Sequence, residues 1–212
     1  MEHNVKSLQR KAIQYWWIDG LAELGFGFEM LVISLYFVLL QQIHSVPWTV
    51  IVSSVGLPIV FLATFFLTGK LVLYFKEKIT FPRTGYVRYP KRKAASRKRR
   101  VIVGAVIGFI TAISINLTRA FLGVDAQWIV TSMIIMMCMI YIGYLAGVYR
   151  YYALGVLTFI WGVILVQVNI ADNYEYAWLF GGIGLLSFLF GAVVFLRYLK
   201  QYPENEGDDY DG

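Results

Sequence analysis

Six long apolar stretches leave this chain little choice of solvent. They run approximately over Ile18 to Leu40, Trp48 to Leu73, Val101 to Leu122, Trp128 to Val148, Ala153 to Ile170 and Tyr176 to Leu199. Each is close to the ~20 helical residues, rising ~1.5 Å apiece, that cross a hydrocarbon layer ~30 Å thick. The runs are continuous and lack the period-two alternation of an outer-membrane barrel, so helices are expected rather than strands. A mean hydropathy of +0.62, with 58% hydrophobic and 15% charged residues, leaves too little polar surface to clothe a soluble domain of 212 residues. The expected fold is therefore all-α, a polytopic membrane protein with six transmembrane helices. Trp16, Trp17, Trp48, Trp128 and Trp178 fall near the ends of the runs, at the headgroup depth that amphipathic rings prefer.

Basic residues orient the bundle. Lys6, Arg10 and Lys11 precede the first run, twelve bases lie between Lys70 and Arg100, Arg150 sits in the turn between runs four and five, and Arg197 and Lys200 follow the sixth. Eighteen of the nineteen bases thus share one side, and only Arg119 falls on the other, with Asp125, Asp172 and Glu175. The positive-inside rule then makes the chain a multi-pass protein of the cell inner (plasma) membrane with both termini cytoplasmic. Its expected divisions are a cytoplasmic amphipathic entry segment (1–17), helices one and two (18–73), a basic cytoplasmic loop (74–100), helices three to six (101–199) and an acidic disordered tail (200–212). The first run follows a basic start, but Asp19, Glu23 and Glu29 interrupt it and no small-residue cleavage site follows. It reads as a retained span rather than a cleaved signal peptide. The single cysteine, Cys138, excludes an intrachain disulfide and leaves the redox compartment open.

The loop carries more charge than anchoring requires. Twelve bases from Lys70 to Arg100 stand against one acid, Glu77, whereas three or four would retain a loop. Each base near an anionic leaflet contributes on the order of 1 kcal/mol. Arg83, Arg88, Lys91, Arg92, Lys93, Arg97, Lys98, Arg99 and Arg100 are therefore candidates for contact with anionic phospholipid headgroups or an acidic protein partner. Nucleic acid is a poor fit, because a basic run without a folded reading module supplies only sequence-independent attraction. PKRKAASRKRR has the form of a nuclear-import signal, which matters only in a eukaryotic source. Within ITFPRTGYVRY, the strand formers Ile79, Phe81, Tyr86, Val87 and Tyr89 flank Pro82 and Gly85, so a short hairpin or ordered knuckle is expected. It would hold Arg83 and Arg88 in place, as recognition of a phosphate or carboxylate requires.

Polar groups inside the spans form the second set of candidates. Asp19 and Glu23, four apart, share a helix face, with Glu29 deeper and about 80° to one side of Asp19. Asp19 could cap the helix at the interface. Ionisable groups within a span are costly and usually face a bundle interior, a partner base or a wet cavity. Two readings follow. Either the span starts late, near Phe26, behind an interfacial helix that leaves Glu23 wet, or Glu23 and Glu29 form a proton or cation site with Asn116, Gln167 or Asn169, with Arg119 neutralising an acid on the outer side.

Metal and catalytic readings are weaker. Met133, Met136, Met137, Cys138 and Met139 are soft donors in one span, suited to Cu(I), yet no second ligand cluster accompanies them and Met is an ordinary gap filler. His3 and His44 are isolated, and the HExxH, GxSxG and P-loop patterns are absent. Neither a metal, a cofactor nor an enzymatic activity is expected. Gly104 with Gly108, Gly143 with Gly147, and Gly184 with Gly191 mark runs three, four and six for close helix packing.

Tyr15, Trp16, Asp19, Gly20, Glu23 and Gly27, together with the FPRTGY stretch from Phe81 to Tyr86, resemble a family of prokaryotic multi-spanning membrane proteins of uncharacterised function. The likeness covers about the first 90 residues. It implies that the acidic entry and the FPRTGY knuckle lie together at the cytoplasmic face, with Arg83 or Arg88 meeting Asp19 or Glu23. Two functions are carried forward. One is an interaction or regulatory membrane protein whose basic loop docks anionic lipid or an acidic partner. The other is a small secondary transporter that uses the acids of the first helix for proton or cation coupling, with its six spans as three plus three inverted. A polar cavity reaching Glu29 would favour transport; a dry interior with Glu29 capped would favour docking.

Overall fold

A computed structural model of the chain describes residues 16–43, 48, 52–84, 121, 123–168 and 174–203. The described residues are helical, with no strand among them. The helices are α1 (Leu21–Leu40), α2 (Leu57–Phe75), α3 (Phe81–Thr84), α4 (Val124–Ala146), α5 (Arg150–Gln167) and α6 (Glu175–Gln201). Five of the described helices are long and apolar enough to cross a membrane. The run from Val101 to Leu122, expected as a third span, lies outside the described residues except for Phe121.

The second helix does not stop where its hydropathy does. α2 passes through a π-helical turn, Lys76–Thr80, straight into α3, so one rod extends well beyond Leu73. This corrects the hairpin expectation in part: Ile79 and Phe81 are helical, while Gly85 to Tyr89 lie outside the described residues. Pro82 lies just past the π turn, and the rod continues through it to Thr84. The π turn also shifts the helical phase, which carries Lys76 and Thr80 inward to buried positions.

α1 and α6 pack most extensively and run antiparallel, along a seam of small residues. A Cβ on Gly27 would lie 2.5 Å from the Phe188 amide nitrogen, one on Gly184 2.8 Å from that of Leu31, and one on Gly191 2.6 Å from that of Leu24. Backbones meet here because lipid tails provide no hydrophobic drive, so close van der Waals contact and polar bonds hold the helices together. The seam pairs the expected Gly184 and Gly191 with Gly27 of α1 and Gly20 just before it, which the sequence marks only as part of a family likeness. At its far end Ser34 donates to the Ala177 carbonyl at 2.7 Å, and Phe37 stacks on Tyr176 and Phe180.

α4 and α5 form the expected antiparallel pair. Gly143 packs beside Tyr151, but Gly147 ends the helix instead of packing: its φ is +67°, and the Val148 amide bonds back to the Gly143 carbonyl at 3.1 Å. That is a left-handed C-terminal cap, which glycine adopts without a Cβ penalty. The hairpin docks at both ends. Trp128 lies against Tyr176 at the start of α6, and Arg150 reaches the start of α1.

Candidate functional site

The site begins at a turn. Trp16 and Trp17 are helical, Ile18 to Gly20 turn, and α1 starts at Leu21. Gly20 takes φ +77°, and a Cβ there would meet the Gly191 carbonyl oxygen at 2.7 Å. This Asp-Gly turn aims the Asp19 carboxylate into the bundle rather than along the helix axis. One of its oxygens, Oδ1, accepts from the Leu21 amide at 3.2 Å, so a local capping role is retained. The other, Oδ2, accepts from Lys76 Nζ at 2.5 Å and from Thr80 Oγ1 at 3.1 Å.

Lys76 and Asp19 are 1% and 0% exposed, a burial that would be prohibitive for an unpaired charge. The ammonium is saturated in other ways too. It donates to the Trp16 carbonyl at 2.6 Å and stands 4.6 Å from the centre of the Trp16 ring, a cation–π contact. Tyr198 of α6 donates to the Thr80 carbonyl at 3.3 Å. The Lys76–Asp19 knot thus ties the start of α1, the extension of α2 and the end of α6 together.

A second pair lies beside it. Arg150 Nε donates to Glu23 Oε1 at 2.5 Å and one terminal nitrogen donates to the Ile18 carbonyl at 3.2 Å. Glu23 is fully buried, not wet as the late-starting reading of the span expected. Of the contacts expected from the family resemblance, the one through Arg83 is replaced by others: Asp19 meets Lys76, Glu23 meets Arg150, and Arg83 donates to the Tyr202 carbonyl at 3.2 Å; Arg88 lies outside the described residues.

Beneath the two pairs lies a cavity of about 330 Å³, lined from α1, α2, α4, α5 and α6. Glu29, about 9 Å deeper along α1 than Glu23 at ~1.5 Å per residue, opens onto it and is only 6% exposed. Its Oε1 has no hydrogen-bond partner. The same is true of Thr68 Oγ1 and Ser187 Oγ, buried atoms of residues in the cavity wall, while Tyr151 stands against Glu23. Buried polar atoms are otherwise almost always paired. Three lone ones on residues of a single cavity wall distinguish it within the bundle. Charge balance sharpens this: Lys76 compensates Asp19 and Arg150 compensates Glu23, while no described base pairs with Glu29.

The other candidates fall elsewhere. Gln167 is exposed at the end of α5, away from Glu29. Asn116, Arg119 and Asn169 lie outside the described residues, as do Arg88, Lys91, Arg92, Lys93, Arg97, Lys98, Arg99 and Arg100. Met133, Met137 and Cys138 are exposed, and Met139 is buried against the cavity. Lys76, Arg150, Thr68, Tyr151 and Ser187 were not foreseen. A small polar residue recurring within an apolar run, as Thr64, Thr68 and Ser187 do, was the available signal. No family model, curated protein or solved structure matches the chain.

Proposed function

We propose that the protein is a small secondary transporter of the inner membrane, coupled to protons at Glu29. The single observation that supports this reading most is the uncompensated Glu29 carboxyl group in the wall of an otherwise largely apolar cavity between five helices. A buried acid without a base partner stays neutral by holding a proton, and acids so placed within a span are typical of proton relays in transporters. The two ion pairs close the cavity at the end carrying the start of α1, read as cytoplasmic by the positive-inside rule.

A six-span topology is part of the proposal and has support in the described helices. α2 ends beside Asp19, at one end of the bundle, whereas α4 starts beside Tyr176, at the other. An odd number of crossings must join them, and the Val101 to Leu122 run is long enough for one. The docking role expected of the basic loop rests on residues outside the described set. Arg83, the one described member of that group, holds the end of α6 through Tyr202.

The test is titration of Glu29 itself. Infrared difference spectra of the purified protein in lipid should contain a carboxylic-acid carbonyl band that rises and falls reversibly with bulk pH. Glu29→Gln should remove that band and leave the remaining carboxyl bands in place. A protein whose Glu29 never exchanges protons with bulk water has no coupling site there, and the proposal fails.

A further inference from the structure

The cavity's walls say more than its charge does. At about 330 Å³, it is some tenfold larger than the ~30 Å³ share of one water molecule and lies within the ~300–1,000 Å³ range of small-molecule sites. A bare metal ion would leave most of it empty. Its sides are aromatic: Trp17, Phe26, Phe65 and Tyr151 all line it, and Trp17 meets Tyr151 edge to face at 5.4 Å. Such ring faces attract cations, most strongly when the cation is poorly hydrated.

We infer that the cavity binds a compact monovalent organic cation, a quaternary or protonated amine, whose charge neutralises Glu29 while its apolar groups lie against these rings. The single uncompensated carboxylate matches one positive charge. A divalent ion would remain half neutralised, and an anion would meet only acids and hydroxyls. A neutral apolar guest would leave the Glu29 carboxylate without a counter-charge, a cost that a cation offsets. The titratable groups facing Glu29 across the cavity are Glu23, already paired with Arg150, and Tyr151. The guest and a proton therefore compete for one carboxylate, which is the stoichiometric basis of exchange. The inference rests on the coupling reading above and adds the substrate class to it.

Benzyltrimethylammonium and its uncharged carbon isostere, neopentylbenzene, form the test pair, with the purified full-length protein in lipid nanodiscs. The cation should bind saturably, release a proton into weakly buffered solution, and lose affinity about tenfold per pH unit once protons win the site. Glu29→Gln should abolish binding, Glu29→Asp should retain it, and Phe65→Leu should weaken it several-fold. If Glu29→Gln does not fold, the charged and uncharged probes still decide the matter in the unaltered protein. Equal binding of the two, no saturable binding of the cation, or binding that is independent of pH would each overturn the inference. A Glu29 that titrates yet binds no organic cation removes only the substrate class; a Glu29 that never titrates removes the coupling reading as well.

Discussion

Replacing Asp19 by Asn, Lys76 by Met, and both together tests the ion-pair knot quantitatively. Asp19→Asn strands an ammonium that is 1% exposed, leaving it the Trp16 carbonyl and ring. Breaking a buried pair from one side costs about 3–5 kcal/mol. Lys76→Met leaves Asp19 with two of its three donors, Leu21 N and Thr80 Oγ1, so its cost should lie near the lower end, about 3 kcal/mol. In the double variant the Asn carbonyl oxygen can still accept from Leu21 N, its amide nitrogen can donate to Thr80 Oγ1 in place of accepting from it, and no charge is buried. The remaining loss is essentially the Trp16 carbonyl's partner, about 1–2 kcal/mol.

The expected coupling energy is therefore at least ~3 kcal/mol, with the double variant more stable than either single. Equilibrium unfolding in mixed micelles, followed by tryptophan fluorescence, measures all four corners of the cycle. A parallel cycle with Asp19→Asn and Arg83→Met supplies the control and should be additive, because Arg83 donates to Tyr202. Additivity in the Lys76 cycle, or coupling in the Arg83 cycle, would refute the assigned pairing.

Three further outcomes follow from the same geometry. Gly27→Leu puts a side chain where even a Cβ would lie 2.5 Å from the Phe188 nitrogen; it should cost more than the ~1–3 kcal/mol of ordinary overpacking, read as lost folded yield and a lowered unfolding midpoint. Gly147→Ala, at φ +67°, should cost about 1–2 kcal/mol, and Gly147→Asn less. In a Cys138→Ser background, a cysteine at Ser96 should resist membrane-impermeant thiol reagents in intact cells while one at Asp172 reacts; the reverse pattern would invert the orientation.

The helices were legible because a bilayer imposes a length on every crossing, and an apolar run of that length has little else to become. The site was legible only in its acids. Asp19, Glu23 and Glu29 stand out against an apolar background, but their partners do not: Lys76 lies 57 residues from Asp19, and Arg150 lies 127 from Glu23. Both bases sit where hydropathy assigns loops, among bases that serve orientation. The extension of α2 was hidden for a related reason. Polar residues end a hydrophobic run without ending a helix, and the inward turn of Lys76 and Thr80 depends on a π turn with no composition signature. Gly27 was read as part of a family likeness, although its physical role is to receive the backbone of α6.

The three acids of α1 divide by compensation, and that division sets which end of the bundle opens more readily. At the end bearing Asp19 and Glu23, separating the helices breaks two buried pairs at about 3–5 kcal/mol each unless water replaces both partners at once. At the other end the ties between helices are neutral: Ser34 to the Ala177 carbonyl, Trp161 to the Trp178 carbonyl, and Gln127 to Tyr176. Such bonds are worth about 0.5–1.5 kcal/mol each. Glu29 lies between, about 12 Å along α1 at ~1.5 Å per residue, so the cavity should communicate first with the face bearing the start of α6. Amides of α6 around Phe180 should then exchange hydrogen faster than those around Val194, and the difference should shrink in Arg150→Met, which unlocks the tight end. Faster exchange around Val194 in the unaltered protein would show that the ion pairs are a hinge that yields rather than a clasp that holds.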